Sequence, residues 1–303
     1  MADSQYLGID VGGTNVKMGI VDAQTGTITN FQSHDTLRWR ESKHFIDRLL
    51  DAIDLQLFEH KNVKRVGIGL PGILTRDRRT LMEITAIPEI DGTPLIKILE
   101  DRFPGIVFFM ENDANAAALG EFYFSKEKLP VDYIFITLGT GVGGAAIIDK
   151  KIFLGGDGNA MEPGHLPSRN GKVLERNIGK KELLDMANSM RAEWTKPTSL
   201  ESDGSISTTE LIVAAEDGDA LALAILTEMG EMLGDNLVAL IRILDIKTII
   251  IGGGLSAGYN FILPAVNKQL NYWLTPAYLE KLVLKKASLG NDAGLLGAAS
   301  LCF

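Results

Sequence analysis

One pattern occurs twice in this chain, and it limits the possible folds more than any other feature. "YLGIDVGGTNVKMGIVD" runs from Tyr6 to Asp22 and "YIFITLGTGVGGAAIID" from Tyr133 to Asp149, each 17 residues long. Laid over one another without gaps, they share a Tyr, an Ile, a Gly at the turn, a second Ile and the final Asp. Those identities would be thin alone, but both stretches read as strand, glycine turn, strand, which makes an internal duplication the better reading. A hairpin repeated ahead of helical segments predicts two α/β domains, and 303 residues are enough for two.

The remaining periodicity fits this plan. Helical spacing covers Ser42 to Glu59, Pro94 to Asp101, Lys180 to Glu193, Thr208 to Glu216 and Ala220 to Leu244. Short apolar runs at Arg65 to Leu70, Ile106 to Met110 and Thr248 to Ile251 read as strands, and Thr75 to Gly92 is polar and irregular. "ENDANAAALGEFYF" follows the second of these strands and reads as a helix with polar side chains at its start. No low-complexity linker divides the halves, so the expected boundary is a hinge. Residues 1–111 would form the first domain and residues 112–290 a larger second one, with a small-residue helix at about 291–303 packing back on the first.

Composition removes several classes of function. A net charge of −9 argues against a broad nucleic-acid surface, which needs clustered Lys and Arg. No charged and apolar leader precedes Tyr6, and no apolar run has membrane-spanning length, so no membrane is expected. Cys302 is the only cysteine, so neither an intrachain disulfide nor a multi-cysteine zinc site can form, and a reducing cytoplasm fits.

Asp10 stands inside the first strand, just before a bare loop, Gly12-Gly13-Thr14. A carboxylate in an apolar strand is costly unless it is paired or ligates a cation, and Mg²⁺ carrying nucleotide phosphates would supply one. The bland alternative is a plain hairpin turn. In the repeat, Gly139-Thr140-Gly141 opens a G-x-G-x-x-G match, but a strand follows it where a dinucleotide fingerprint needs a helix. A second phosphate-holding hairpin, facing the first across a cleft, is the stronger reading. The third loop, Gly252-Gly253-Gly254, does follow a strand, yet no acidic residue stands about 20 positions on. It suits the nucleoside end of a nucleotide better than NAD.

Taken together, "GIDVGGTNVKMGIVD", "GIGLPGI", "ENDANAAALGE", "ITLGTGVGGAAIID", "EPGH", "IIIGGGLS" and "NDAGLLGAA" resemble the ROK family of sugar kinases and sugar-responsive repressors, in order and over nearly the whole chain. The resemblance implies the actin-like, hexokinase-type ATPase fold (ribonuclease H-like): two α/β domains, each a mixed sheet flanked by helices, with ATP and Mg²⁺ in the cleft. It implies Asp113 as catalytic base and Asn112, Glu162, His165 and Glu175 as sugar ligands. ATP and its metal fall to Asp10, Gly12, Gly13, Thr14, Lys17, Gly139, Thr140, Gly141, Gly253 and Gly254. Family members are often homodimers. Many carry a zinc-holding cysteine cluster between the histidine and the last glutamate. Here that stretch is "LPSRNGKVL", without cysteine, so no zinc is expected and His165 needs another partner to fix its tautomer. The repressor branch adds an N-terminal helix-turn-helix for which Tyr6 leaves no room, so DNA binding is not expected.

Each residue also has a plainer reading. An Asp at a helix start is usually a cap, and Glu162 and His165 could be unrelated surface groups. Against that, carboxylate, amide and neutral imidazole meet the paired donor and acceptor demands of sugar hydroxyls. The expected activity is therefore ATP-dependent phosphorylation of a hexose, glucose first, then fructose or an N-acetylhexosamine. The alternatives from other classes are a non-catalytic sugar sensor of the same fold and an NAD enzyme built on the Gly252 loop.

Overall fold

The computed structural model describes residues 5–41, 44–200 and 205–303. Its strands are β1 (Gln5–Val11), β2 (Asn15–Asp22), β3 (Ile28–Asp35), β4 (Arg65–Leu70), β5 (Ile73–Leu74), β6 (Leu81–Glu83), β7 (Val107–Asn112), β8 (Tyr133–Leu138), β9 (Val142–Ile148), β10 (Lys151–Ile152), β11 (Thr248–Gly252) and β12 (Val283–Lys286). The α-helices are α1 (Thr36–Glu41), α2 (Phe45–Glu59), α3 (Leu95–Arg102), α4 (Asp113–Phe124), α5 (Glu175–Ile178), α6 (Lys180–Glu193), α7 (Thr208–Glu216), α8 (Ala220–Leu244), α9 (Tyr259–Trp273), α10 (Pro276–Leu279) and α11 (Ala293–Ser300). The expected start of the second helix at Ser42 lies outside the described residues. None of the described helices is long and apolar enough to cross a membrane.

The duplication seen in the sequence recurs in the topology. One sheet has the order β3-β2-β1-β4-β7 and the other β10-β9-β8-β11-β12. In the first, β1 pairs antiparallel with β2 and parallel with β4, which pairs parallel with β7. In the second, β8 pairs parallel with β11, which pairs parallel with β12. Each five-stranded sheet is therefore a hairpin with one antiparallel strand added on one side, β3 or β10, and two parallel strands on the other, the mixed α/β layer that was expected.

Two compact units divide the described residues. One holds those up to Leu129, Ala145–Ala160 and Ser288–Phe303; the other holds Pro130–Gly144 and Met161–Ala287. Where the sequence reading drew a line at 111/112, α4 instead stays with the strands before it. The reason is packing: α4 is apolar nearly all round, buries Ala114 through Glu121, and lies against α11, β4 and β7.

Strand alternation explains how the first unit is layered. Leu7, Ile9 and Val11 of β1 and Val66, Ile68 and Leu70 of β4 share one core with Phe45, Leu49, Leu95 and Leu99 from α2 and α3. The alternate positions, Gly8 and Gly67, point the other way and let the backbone of α11 approach the sheet directly. The same closeness governs α4 against α11. A methyl group added at Gly297 would fall on the carbonyl oxygen of Ala116. Gly297→Ala therefore destabilises the protein by the upper end of the roughly 1–3 kcal/mol typical of overpacked cores. Thermal unfolding measures it, with Gly156→Ala as the control because a methyl there meets nothing within 4 Å.

In the second unit, helix ends are set by side chains. Ser207 and Glu210 form a reciprocal capping box on α7, and Asp219 accepts from Ala222 N–H at 3.0 Å to start α8. The 25-residue α8 is the spine against which α5, α6, α7 and α9 pack.

Candidate active site

The first unit gathers its polar groups at one end of its parallel strands, where α/β sheets generally bind ligands. Across the ladder, Asp10 of β1 is level with Gly69 of β4, and Gly69 with Glu111 of β7. Asp113 opens α4 two residues further on. The β1–β2 turn is pinned by Gly12 N–H to Asn15 O (2.9 Å), Thr36 N–H to Thr14 O (2.9 Å) and Thr36 Oγ1–H to Gly12 O (2.7 Å). Gly13 and Thr14 are exposed, and their N–H groups are the turn's available donors among the described residues.

The Asp10 carboxylate accepts no hydrogen bond among the described residues. Burial raises the pKa of its carboxyl, and Lys17, its partner across the β1–β2 ladder, opposes that rise. The Lys17 ammonium donates to Asn291 O at 3.0 Å. The carboxylate lies against α11, where a Cβ on Gly294 would come within 2.6–2.8 Å of it. Burial disfavours the ionised form of this carboxyl, which has no donor of its own, and a hard cation would offset that cost. Among the described residues, no group of three or more His, Cys, Asp or Glu side chains could hold a metal, so Asp10 would act as a single ligand.

At the start of α4 the competing roles separate. Asn112 is the N-cap: its Oδ1 accepts from Ala114 N–H at 2.9 Å and Asn115 N–H at 3.3 Å, and its Nδ2 donates to Gly72 O at 3.3 Å. Asp113 is the first helical residue, with Oδ1 accepting from Ala114 N–H at 2.8 Å. Capping thus falls to Asn112, whose amide N–H is what it has left to offer a ligand.

Sequence reasoning missed the group beneath this corner. Glu111 is buried and pairs with Arg78 Nε at 2.9 Å. Its other oxygen accepts from Asn112 N–H at 2.8 Å and Asn115 Nδ2 at 3.1 Å. Arg78 also donates to Gly158 O and Thr75 O. The signal was present, since Glu111, like Asp10, is a carboxylate in an apolar strand; its partner, 33 residues away, was not legible.

The second unit holds the other glycine loops. Gly139 N–H donates to Gly141 O at 2.9 Å, and Lys180 N–H, opening α6, donates to Gly139 O at 3.0 Å. Val142 N–H is taken by Glu175 Oε2 at 3.0 Å. The N–H groups of Thr140 and Gly141 are therefore the loop's available donors among the described residues. Gly253, at φ +82, follows β11, and an added Cβ there would strike Leu138 at the end of β8. The structure so brings the Gly253-Gly254 loop beside the Gly139 loop.

Glu162 precedes a single 3₁₀ turn, Pro163–His165, that His165 ends, with His165 Nδ1 4.0 Å from Glu162 Oε2. No hydrogen bond to the exposed imidazole forms among the described residues. Burial holds the Glu162 carboxyl above its ordinary 4.5, His165 opposes this and Glu175 adds to it. Glu175 is thus near Glu162 electrostatically while also holding the glycine loop, a double position the sequence did not show.

The ROK family profile matches residues 6–303. A glucokinase from Streptomyces coelicolor is 32% identical over 97% of this chain and 96% of its own length. An N-acetyl-D-glucosamine kinase from Histophilus somni is 29% identical over 98% of each chain. A crystal structure of a ROK family glucokinase from Streptomyces griseus, in complex with glucose and AMPPNP, superposes with a TM-score of 0.81 at 29% identity, covering 98% of this chain and 99% of its own.

Proposed function

The chain belongs to the ROK family and is an ATP-dependent sugar kinase, and we propose that its acceptor is a hexose, glucose foremost, with Asp113 as the general base. One observation carries the assignment of Asp113. Asp113 opens α4 at the end of the parallel strands where Asp10 and Glu111 also stand, and the N-cap itself is Asn112, so the helix start does not depend on the Asp113 carboxylate alone. The glucokinase relatives support glucose. The N-acetyl-D-glucosamine kinase relative keeps an N-acetylhexosamine as the second reading.

In this reading, Glu162, His165, Glu175 and the Asn112 amide hold the sugar hydroxyls. A mismatched epimer is rejected because it leaves a buried polar group unpaired. Asp113 accepts the proton of the attacking hydroxyl. The N–H groups of Gly13, Thr14, Thr140 and Gly141 receive phosphate oxygens, Lys17 lies near them, and Gly253 and Gly254 contact the nucleoside. Mg²⁺ held at Asp10, directly or through water, would neutralise phosphate charge. Positioning and charge neutralisation supply most of the acceleration.

ADP release measured over a panel of glucose, fructose, mannose and N-acetylated hexosamines tests the reading. Sugar-dependent release, largest with glucose, supports it. No release with any sugar points to a sensor and contradicts it.

The Glu162 environment makes a pH prediction. If the ionised carboxylate grips the sugar, sugar KM rises on acidification from a pH above 4.5, and Glu162→Gln removes that rise. A carboxyl raised in the folded state contributes stability below its unfolded pKa and loses it as pH rises through the folded one. Glu162→Gln therefore raises the melting midpoint at pH 7 and not at pH 4.

A further inference from the structure

The segment that carries the proposed sugar ligands is a strap whose geometry must be fixed from outside. Leu174 N–H donates to Leu166 O at 3.0 Å, Pro167 and Val173 form a bridge, and Ser168 N–H donates to Lys172 O at 2.8 Å. Residues 166–174 thus close into a short hairpin, with His165 immediately before it and Glu175 immediately after. An isolated hairpin is marginal in water. A zinc on cysteines cannot fix this segment: residues 166–174 contain neither cysteine nor histidine, and Cys302 is the only cysteine.

Arg169 stands where such a device would be needed. Its Nε and Nη2 both donate to Asp235 Oδ2, at 3.1 and 2.8 Å, and Nη1 donates to Glu228 Oε1 at 3.1 Å and Glu231 Oε2 at 3.2 Å. The three carboxylates lie at i, i+3 and i+7 on α8, one face of a rigid helix. Without a cation between them they would repel one another; Lys268 offsets only Glu231, at 2.7 Å. One further bond braces the strap internally and another ties it to α8. Asn177 Nδ2 donates to Arg169 O at 2.9 Å, and Asn236 Nδ2 donates to Pro163 O at 3.3 Å.

We propose that Arg169 is a positioning residue. Its guanidinium, seated among Glu228, Glu231 and Asp235, holds the 163–177 strap on α8 and so sets His165 and Glu175 for the sugar. A planar fork with five donors can bind several carboxylates in a fixed direction, which an ammonium cannot. The kinetic side of this proposal rests on the sugar-kinase reading above.

The test uses Arg169→Met and Arg169→Lys, with hydrogen exchange over residues 163–177 read beside kinetics. In Arg169→Met, exchange across the strap accelerates. Sugar KM rises about 10–100-fold, the usual loss when the group orienting a ligand-binding residue is removed, and ATP KM stays within about twofold. Arg169→Lys recovers part of the sugar KM, since charge returns without the fork. Should Arg169→Met fail to fold, Asp235→Asn removes the doubly bonded acceptor and is read the same way. Unchanged exchange in the strap, an unchanged sugar KM, or sugar and ATP KM rising in step would each overturn the proposal. If the wild type phosphorylates no sugar, the kinase reading fails, and exchange at 163–177 alone decides whether Arg169 holds the strap.

Discussion

Asp113→Asn lowers sugar-dependent ADP release by roughly 10²–10⁴-fold, the usual worth of a positioned general base. The substitution keeps the shape of the side chain and removes its ability to take a proton. It spares the helix start, because the cap is Asn112 and the Ala114 and Asn115 N–H groups remain bonded to it. Sugar KM should therefore change far less than kcat, the mark of an interaction made only in the transition state. A loss within about tenfold would remove proton abstraction from the role of Asp113.

The second large effect is at Asp10, where stability and activity move in opposite directions. Burial raises the Asp10 carboxyl pKa, so the folded protein bears a cost for its ionisation that the unfolded chain does not. The stability it contributes is complete below the unfolded pKa of 3.8 and is lost as pH rises through the folded value. Asp10→Asn has no charge to desolvate and raises the melting midpoint at pH 7. The same change removes the proposed cation ligand, and activity at limiting Mg²⁺ should fall about 10–100-fold, as for other losses near a metal. Excess Mg²⁺ should recover part of that loss. A protein that is neither more stable nor more demanding of Mg²⁺ would contradict this account of Asp10. A carboxyl buried where its ionised form is disfavoured is the kind of local conflict that function sustains.

Local signals made much of this legible in the sequence. The helices Thr208–Glu216 and Ala220–Leu244 are legible to the residue because their apolar period begins at strong caps, Ser207 and Asp219, while Lys180–Glu193, with Gly179 at its N-cap, is legible from its period alone. The two hairpins were read from glycine turns between apolar strands. Strand β3 was not seen: in "ITNFQSHD" half-buried and exposed residues alternate, with no strong apolar face to mark a strand. Helix α9 was hidden by Pro264 inside it, and β12 by its two lysines. At the site, motif positions could be carried over one by one, but not their partners. Arg78 for Glu111, Val142 for Glu175 and the α8 carboxylates for Arg169 lie 33 to 66 residues apart along the chain. Only folding brings them together.

Phosphorus NMR of the products, with glucose, ATP and Mg²⁺, tests the central claim most directly. The account predicts a new phosphomonoester resonance on the sugar, formed in step with ADP and suppressed in Asp113→Asn. ATP left intact with every sugar of the panel, or its terminal phosphate released only as inorganic phosphate, would contradict it.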